Sequence, residues 1–389
     1  MKIAIFTNNY LPNPYGVSGS VESFRQELER LGHIVYVFAP NFKGYVDENK
    51  NVFRYPAIDL KFKNVRFPVA IPYSYQISRL LEKLEIDVIH AQHPNLLGWS
   101  ARHWARKKRV PLVFTWHTLY DQYAHYTPIV PSFLTAWWAI RNARSYANGA
   151  DCVIVPTPSV KEIILKWGVT NKNIVVIPTG VDEKQLANPD KALIRKKYVI
   201  AEDEILLIVI TRFTQEKNLE FLFEAVAEVL RENKKVKFLA GGDGNLTEKL
   251  KNFAAKQQLS AQIIFPGVVA NEIKKEYYIA GDIFVSASKS ETQGMAISEA
   301  MYLGLPIVAV AAPGVKDLVV SQVTGLLVRE DREEFANAIK RLVADDILRK
   351  KFAENAGKIA RQGYTCSVCT AKLIKVYEGL ILAGKERKK

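Results

Sequence analysis

Two carboxylates eight positions apart, Glu291 and Glu299, flank a glycine in the stretch Ser290-Glu291-Thr292-Gln293-Gly294-Met295-Ala296-Ile297-Ser298-Glu299-Ala300-Met301. The pattern predicts a loop turning into a short helix. Gly304 sits where a C-terminal stop belongs, and Pro306 prevents continuation. The first amides of such a helix, at Gly294, Met295 and Ala296, lack intrahelical partners and point outward as anion donors. Glu299 falls about one turn in, on the face of Met295, while Glu291 stays on the preceding loop. A phosphate on the amides, with one acid to each side, suits a sugar nucleotide. The alternative is a capped surface helix carrying two solvated acids.

The elements that must position these groups alternate along the chain. In the first half, strand-like Lys2–Thr7, Ile34–Ala39, Asp87–Ala91, Leu112–Thr115 and Cys152–Val155 are separated by helical stretches such as Ser20–Leu31. A Pro/Gly break at Ile177-Pro178-Thr179-Gly180-Val181-Asp182 follows, and the alternation restarts. Strands are expected at Ile205–Ile210, Val236–Ala240, Ile263–Phe265, Ile283–Ser286, Ile307–Ala311 and Leu326–Val328, with helices at Leu219–Arg231 and Asp331–Ala344. Strands alternating with helices imply parallel sheets covered on both faces. The expected fold is α/β: two doubly wound, Rossmann-like domains with a ligand cleft outside the carboxyl ends of their strands.

Composition narrows the classes. A chain of 389 residues, 48% hydrophobic and 11% aromatic, is long enough for two cores. No apolar run reaches the ~18 residues of a membrane span. The opening Met-Lys-Ile-Ala-Ile-Phe-Thr reads as a first strand rather than a leader. Three cysteines give no disulfide framework, which suits a reducing cytoplasm. The net charge is +14, and residues 1–180 carry 21 Lys and Arg against 12 Asp and Glu. That bias favours anionic partners: nucleotide phosphate, nucleic acid or an acidic membrane surface. Gly241-Gly242-Asp243-Gly244 fails as a dinucleotide fingerprint, because Thr247 stands where a small residue is required.

The string from Glu291 to Pro306 resembles the E-x7-E signature of the retaining glycosyltransferases of family 4, which have the two-domain GT-B fold. Its Glu-Thr-Gln-Gly, Glu-Ala-Met and Gly-Leu-Pro pieces look most like the diacylglycerol glucosyltransferase branch. The resemblance implies a domain 1–178 that binds the acceptor, a domain 183–362 that binds the nucleotide sugar, and a segment 363–389 whose helix crosses back to the first domain. Thr211-Arg212-Phe213-Thr214-Gln215-Glu216-Lys217-Asn218 resembles the family's cationic loop, which makes Arg212 and Lys217 the grips on the diphosphate. By the same likeness Glu291 meets sugar hydroxyls and Glu299 the ribose. His117, in Trp116-His117-Thr118, touches the sugar ring and helps carry transition-state charge. Gly16, Gly242 and Val268 lie along the donor. The implied donor is UDP-glucose, with same-face attack and the departing phosphate accepting the acceptor's proton. No Asp-x-Asp occurs in the chain, so no metal and no further cofactor is expected.

The acceptor side is read from cations interleaved with aromatics. Arg102, Arg106, Lys107, Lys108 and Arg109 close a stretch that carries Trp99 and Trp104. Lys61-Phe62-Lys63-Asn64-Val65-Arg66-Phe67 forms a second such region, and Phe133 to Arg141, with Trp137 and Trp138, a third. Tyr120 and Tyr123 stand in an aromatic string that resembles one in lipid glucosyltransferases. Such segments suit an anionic lipid interface or, alternatively, solvated basic faces over buried rings. The expectation is a cytoplasmic enzyme, peripheral on the inner face of the membrane, with a lipid acceptor and no nucleic acid. A soluble or phosphoinositide acceptor, a sugar-nucleotide 2-epimerase and a basic nucleic-acid-binding protein are the alternatives.

Overall fold

The computed structural model describes residues 1–13, 16–62, 65–120, 132–289 and 291–386. The chain divides into two compact units, Met1–Gly180 with Cys366–Lys389, and Val181–Thr365.

The first unit is built on seven strands: β1 (Lys2–Phe6), β2 (Ile34–Pro40), β3 (Val52–Tyr55), β6 (Val88–Ala91), β7 (Leu112–Thr115), β8 (Cys152–Val155) and β9 (Ile174–Val176). They pair in parallel in the order β3-β2-β1-β6-β7-β8-β9. Side chains alternate across a strand, and the core follows that period. Ala4 and Phe6 pack into one apolar cluster with Trp104, Phe114 and Tyr146, while Ile3 and Ile5 pack into another with Val35, Leu373 and Tyr377. The terminal helix, Cys366–Glu386, belongs to that second layer. β4 (Ala57–Phe62) and β5 (Val65–Ala70) form a separate antiparallel hairpin. The basic-aromatic string Lys61–Phe67 begins on β4 and ends on β5, with residues 63 and 64 outside the described residues.

The second unit carries β10 (Ile205–Ile210), β11 (Val236–Gly241), β12 (Ile263–Gly267), β13 (Ile283–Ser286), β14 (Ile307–Val310) and β15 (Gly325–Val328). All pair in parallel, in the order β12-β11-β10-β13-β14-β15. Again β10 splits its side chains: Leu207 and Val209 enter a core with Phe223 and Phe238, and Leu206 and Ile208 enter the opposite one with Tyr278 and Ile297. Among the described residues no helix is long and apolar enough to cross a membrane. All three cysteines are buried free thiols.

Counting the terminal helix with the first unit changes the charge map. That unit holds 27 Lys and Arg against 14 Asp and Glu, whereas the second holds 27 against 26. Nearly all of the basic excess therefore sits on the first unit.

Candidate active site

In each sheet the chain winds outward from a central pair of strands in both directions. The crevice at the carboxyl ends of such a pair is where open parallel sheets bind ligands. In the second unit that pair is β10 and β13. A pocket at this point is lined by Thr211, Lys217, Ser286, Glu291, Gly294 and Ala296. The helix Met295–Tyr302 starts beside it. Gly294 precedes the helix at φ 88°, the left-handed region that glycine tolerates best, and Gly304 follows it at φ 78°. The amides of Ile297 and Ser298 both bond Gly294 O, so those of Met295 and Ala296 stand ahead of the first helical bonds.

Both acids are held by lysines. Lys217 Nζ lies 2.6 Å from Glu291 Oε1, with side chains 12% and 20% exposed. Lys274 Nζ lies 2.6 Å from Glu299 Oε1, and Tyr278 donates its hydroxyl to Glu299 Oε2 at 2.8 Å. The two glutamates are thus oriented, partly buried acceptors rather than solvated surface acids. Arg212 is half exposed, with its guanidinium 3.5 Å from Glu216. Gly242 has φ +143°, and a Cβ there would come within 1.8 Å of Thr211 O. At Gly244 a Cβ would meet Phe213 O at 2.4 Å. These glycines let the β11 turn press against the loop that carries Arg212. Val268, just past β12, is exposed. Ser290 lies outside the described residues.

In the first unit the central pair is β1 and β6. Asn8, Gln92 and His93 follow the ends of these strands, and His117 follows the next one. Asn8 donates its backbone N–H to His93 Nδ1 at 3.1 Å and its side-chain amide to Asn95 Oδ1 at 2.9 Å. His117 Nε2 lies 2.7 Å from Gln92 Oε1. With the amide oxygen as acceptor, Nε2 carries the proton and Nδ1 keeps a lone pair. Burial, then the neighbouring His93 and His90, lower the His117 pKa to about 3. In this neutral form His117 can meet a ligand through a hydrogen bond. Gly16 opens the helix Gly16–Arg30, where a Cβ would meet nothing within 4 Å.

The basic cluster does not converge on His117. Arg102, Arg106 and Arg109 line a groove of about 780 Å³ together with Asp151 and Lys375, at the amino ends of β7 to β9, the opposite edge of the same sheet. Lys107 pairs with Glu82 at 2.7 Å, and Lys108 donates to Leu84 O at 2.8 Å, so both cap the end of the helix Tyr75–Lys83. Tyr120 packs edge-on against buried Trp116; Tyr123 lies outside the described residues. Trp137 and Trp138 are exposed, 61% and 54%, on the helix Ser132–Asn148, with Arg141 over the Trp137 ring.

Sequence reading missed Lys274, Tyr278 and Gln92. Gln92 and His93 were signalled by their place after the β6 strand. Lys274 and Tyr278 carried only a helical i, i+4 spacing, which does not reveal a partner 21 to 25 residues away.

Comparison with known proteins agrees with this layout. The sequence pattern described as glycosyl transferases group 1 matches residues 190–359, and that of glycosyltransferase family 4 matches residues 14–185. The alpha-monoglucosyldiacylglycerol synthase of Streptococcus pneumoniae is 30% identical over 385 residues, covering 94% of this chain and 85% of that protein. A sucrose-phosphate synthase from Thermosynechococcus elongatus superposes with a TM-score of 0.80 at 21% identity, covering 98% of this chain and 99% of the other. HepE of Anabaena, solved in complex with UDP and glucose, superposes with a TM-score of 0.77 at 20% identity, covering 98% and 100%. Two parallel-sheet units of GT-B type, each with polar side chains gathered at its switch point, and a relative of this identity over nearly the whole length place the chain in glycosyltransferase family 4, as a hexosyltransferase.

Proposed function

We propose that the enzyme moves glucose from UDP-glucose to the hydroxyl of a membrane lipid, diacylglycerol foremost, with retention of anomeric configuration. The observation that carries the donor half is the Lys217–Glu291 pair at the β10/β13 switch point, next to the start of the helix Met295–Tyr302. Residues 183–362 hold the nucleotide sugar in this reading, and 1–178 hold the acceptor. Lys217, Arg212 and the amides of Met295 and Ala296 meet the diphosphate. Gly16, Gly242 and Val268 lie along the donor, Glu291 accepts from the hexose hydroxyls and Glu299 from the ribose.

Negative charge grows on the diphosphate as its bond to the sugar breaks. Cations and amides fixed in advance stabilise that charge without reorganising, and such preorganisation is the largest catalytic term in many enzymes. This reading needs no metal. Neither glutamate serves as nucleophile. The acceptor hydroxyl attacks on the face the phosphate leaves, and a phosphate oxygen takes its proton. His117 Nδ1 accepts a hydrogen bond from a hydroxyl of the transferred sugar.

The lipid half draws on the name of the Streptococcus pneumoniae relative and on the exposed Phe133, Trp137 and Trp138. It makes the protein peripheral on the inner face of the membrane. The test is transfer from radiolabelled UDP-glucose to diacylglycerol in mixed micelles with a chelator present, followed by assignment of the anomer. An α-glucosyl lipid is expected. Strict dependence on magnesium or manganese, or a β product, overturns the mechanism; glucose transferred to a soluble sugar and to no lipid overturns the acceptor.

A further inference from the structure

The carboxylate of Glu299 is fixed from one side by one helix. Lys274 and Tyr278 stand one turn apart on Lys274–Ala280, and each takes a different oxygen: Lys274 Nζ at 2.6 Å from Oε1, the Tyr278 hydroxyl at 2.8 Å from Oε2. A carboxylate oxygen offers two lone-pair positions. With one taken on each oxygen, one remains on each, side by side. Two adjacent acceptors in one plane match two hydroxyl donors on neighbouring carbons, a cis-diol. Tyr278 is fully buried, and the Lys274 and Glu299 side chains are 15% and 13% exposed. Burial and the adjacent Glu299 raise the Tyr278 pKa well above its usual value, so the phenol stays a donor. The attraction within so buried an ion pair is largely offset by desolvation. Its orienting effect is what distinguishes it from an apolar contact.

We infer that Lys274 and Tyr278 are positioning residues that set the plane of Glu299 for a vicinal diol, so that this unit discriminates a ribonucleotide from its 2′-deoxy counterpart. The inference rests on the reading that Glu299 meets the nucleotide's ribose. Without Tyr278's hydroxyl, Oε2 gains a free lone pair and the carboxylate can turn about its bond to Lys274. Without Lys274's ammonium, the buried acid loses its counter-charge as well as its orientation.

Calorimetric titration of wild type, Tyr278→Phe and Lys274→Met with UDP and 2′-deoxy-UDP tests this, with GDP and 2′-deoxy-GDP in parallel so that base choice does not decide the outcome. Wild type is expected to prefer the ribonucleotide by roughly tenfold or more, the worth of one hydrogen bond to a charged acceptor. Tyr278→Phe should cut that preference at least about threefold, and Lys274→Met should bring it near unity. Affinity for the deoxynucleotide should stay within about threefold of wild type, because the diphosphate contacts are untouched. A role confined to packing weakens both nucleotides alike and leaves the ratio unchanged, which overturns the inference. A wild type that binds both forms equally also overturns it while leaving the donor reading in place. Binding of neither nucleotide pair removes the donor reading, and this inference with it.

Discussion

Lys217 and Glu291, the charges that a donor would use, are paired to each other. A diphosphate must draw the ammonium toward itself and leave Glu291 facing hydroxyl donors, so pairing keeps both groups in place. Removing one contact to the departing diphosphate should cost about 2.7–4 kcal/mol of transition-state stabilisation, as for a single oxyanion-hole donor. Arg212→Ala and Lys217→Ala should each lower kcat about 10²-fold or more in assays at saturating donor; near-normal turnover removes the assignment. The two differ in stability. Arg212 is half exposed, whereas Lys217→Ala strands a mostly buried Glu291. Only the latter should lower the melting point, and Lys217→Ala/Glu291→Gln should restore it. Gly242→Ala makes a different claim. Its Cβ would collide with Thr211 O, at a φ that side chains rarely adopt, so strain and overpacking of about 1–3 kcal/mol each should lower the melting temperature by roughly 5–15 °C. Unchanged stability with lost UDP affinity would show instead that Gly242 serves the ligand alone. The spacings of Glu291 and Glu299, and of Arg212 and Lys217, were legible in the sequence because each pair falls within one short local motif. Lys274 and Tyr278 were not, because their partnership exists only once the helix before β13 packs beside the helix after it.

Elements in the second unit were legible almost to the residue: six apolar strands, each bounded by turn or helix signals, give parallel pairing without competition. The first unit hid more. Val52–Tyr55 is short and interrupted by Arg54, whose charge is absorbed by Asp47 at 2.5 Å, a pairing invisible in sequence. Ala57–Phe62 and Val65–Ala70 pair as an antiparallel hairpin, which the alternation of cations with rings in 61–67 did not distinguish from a surface loop. The terminal helix was expected to return to the first unit, and one of its anchors is Tyr377. Its hydroxyl lies 2.6 Å from His90 Nδ1, while His90 Nε2 lies 2.6 Å from Thr115 Oγ1. Burial lowers the His90 pKa to about 3, against an ordinary 6.5. Below pH 6.5 the unfolded chain therefore binds a proton that the folded chain refuses. Stability is complete above 6.5 and falls as the pH drops through the window down to about 3, by about 1.4 kcal/mol per pH unit for this histidine. His93, lowered to about 4 by burial, acts in the same direction. Urea midpoints at about pH 7 and about pH 5 report the buried histidines together, His117 included, since Glu22 and other carboxylates with lowered pKa values lose their contribution further down. The midpoint should fall between the two, and His93→Gln should flatten the slope; a midpoint flat from pH 7 to 5 contradicts neutral burial.

For the molecule as a whole, the partition of charge bears on where a lipid acceptor would come from. The helices Leu97–Lys108 and Ser132–Asn148 lie side by side on one face of the first sheet, joined by Tyr146 donating to Gly98 O at 2.6 Å and by Arg102 stacked on the Tyr146 ring. Both run from the carboxyl edge, where His117 stands, to the amino edge. Their exposed surface is graded accordingly: Trp99, Phe133, Trp137 and Trp138 near the carboxyl edge, then Arg141, and Arg106 and Arg109 toward the amino edge. Rings of this kind settle at the boundary between headgroups and acyl chains, and each cation near an anionic surface contributes about 1 kcal/mol. A membrane lying on this face would place its apolar boundary beside the edge that His117 occupies, with the cations holding the opposite end to the headgroups. Two separable terms follow. Arg106→Glu/Arg109→Glu should weaken flotation with phosphatidylglycerol-containing vesicles by more than roughly 30-fold at low salt, the figure for losing two cations alone, and far less at high salt, because those charges act within a Debye length. Trp137→Ala/Trp138→Ala should weaken it at every salt concentration. These substitutions belong to the first unit, whereas Lys217 and Glu291 belong to the second, so UDP affinity should be unchanged in both variants. Flotation that ignores both the anionic lipid and the tryptophans would mean that this face does not meet the bilayer, and that the acceptor reaches the enzyme by another route.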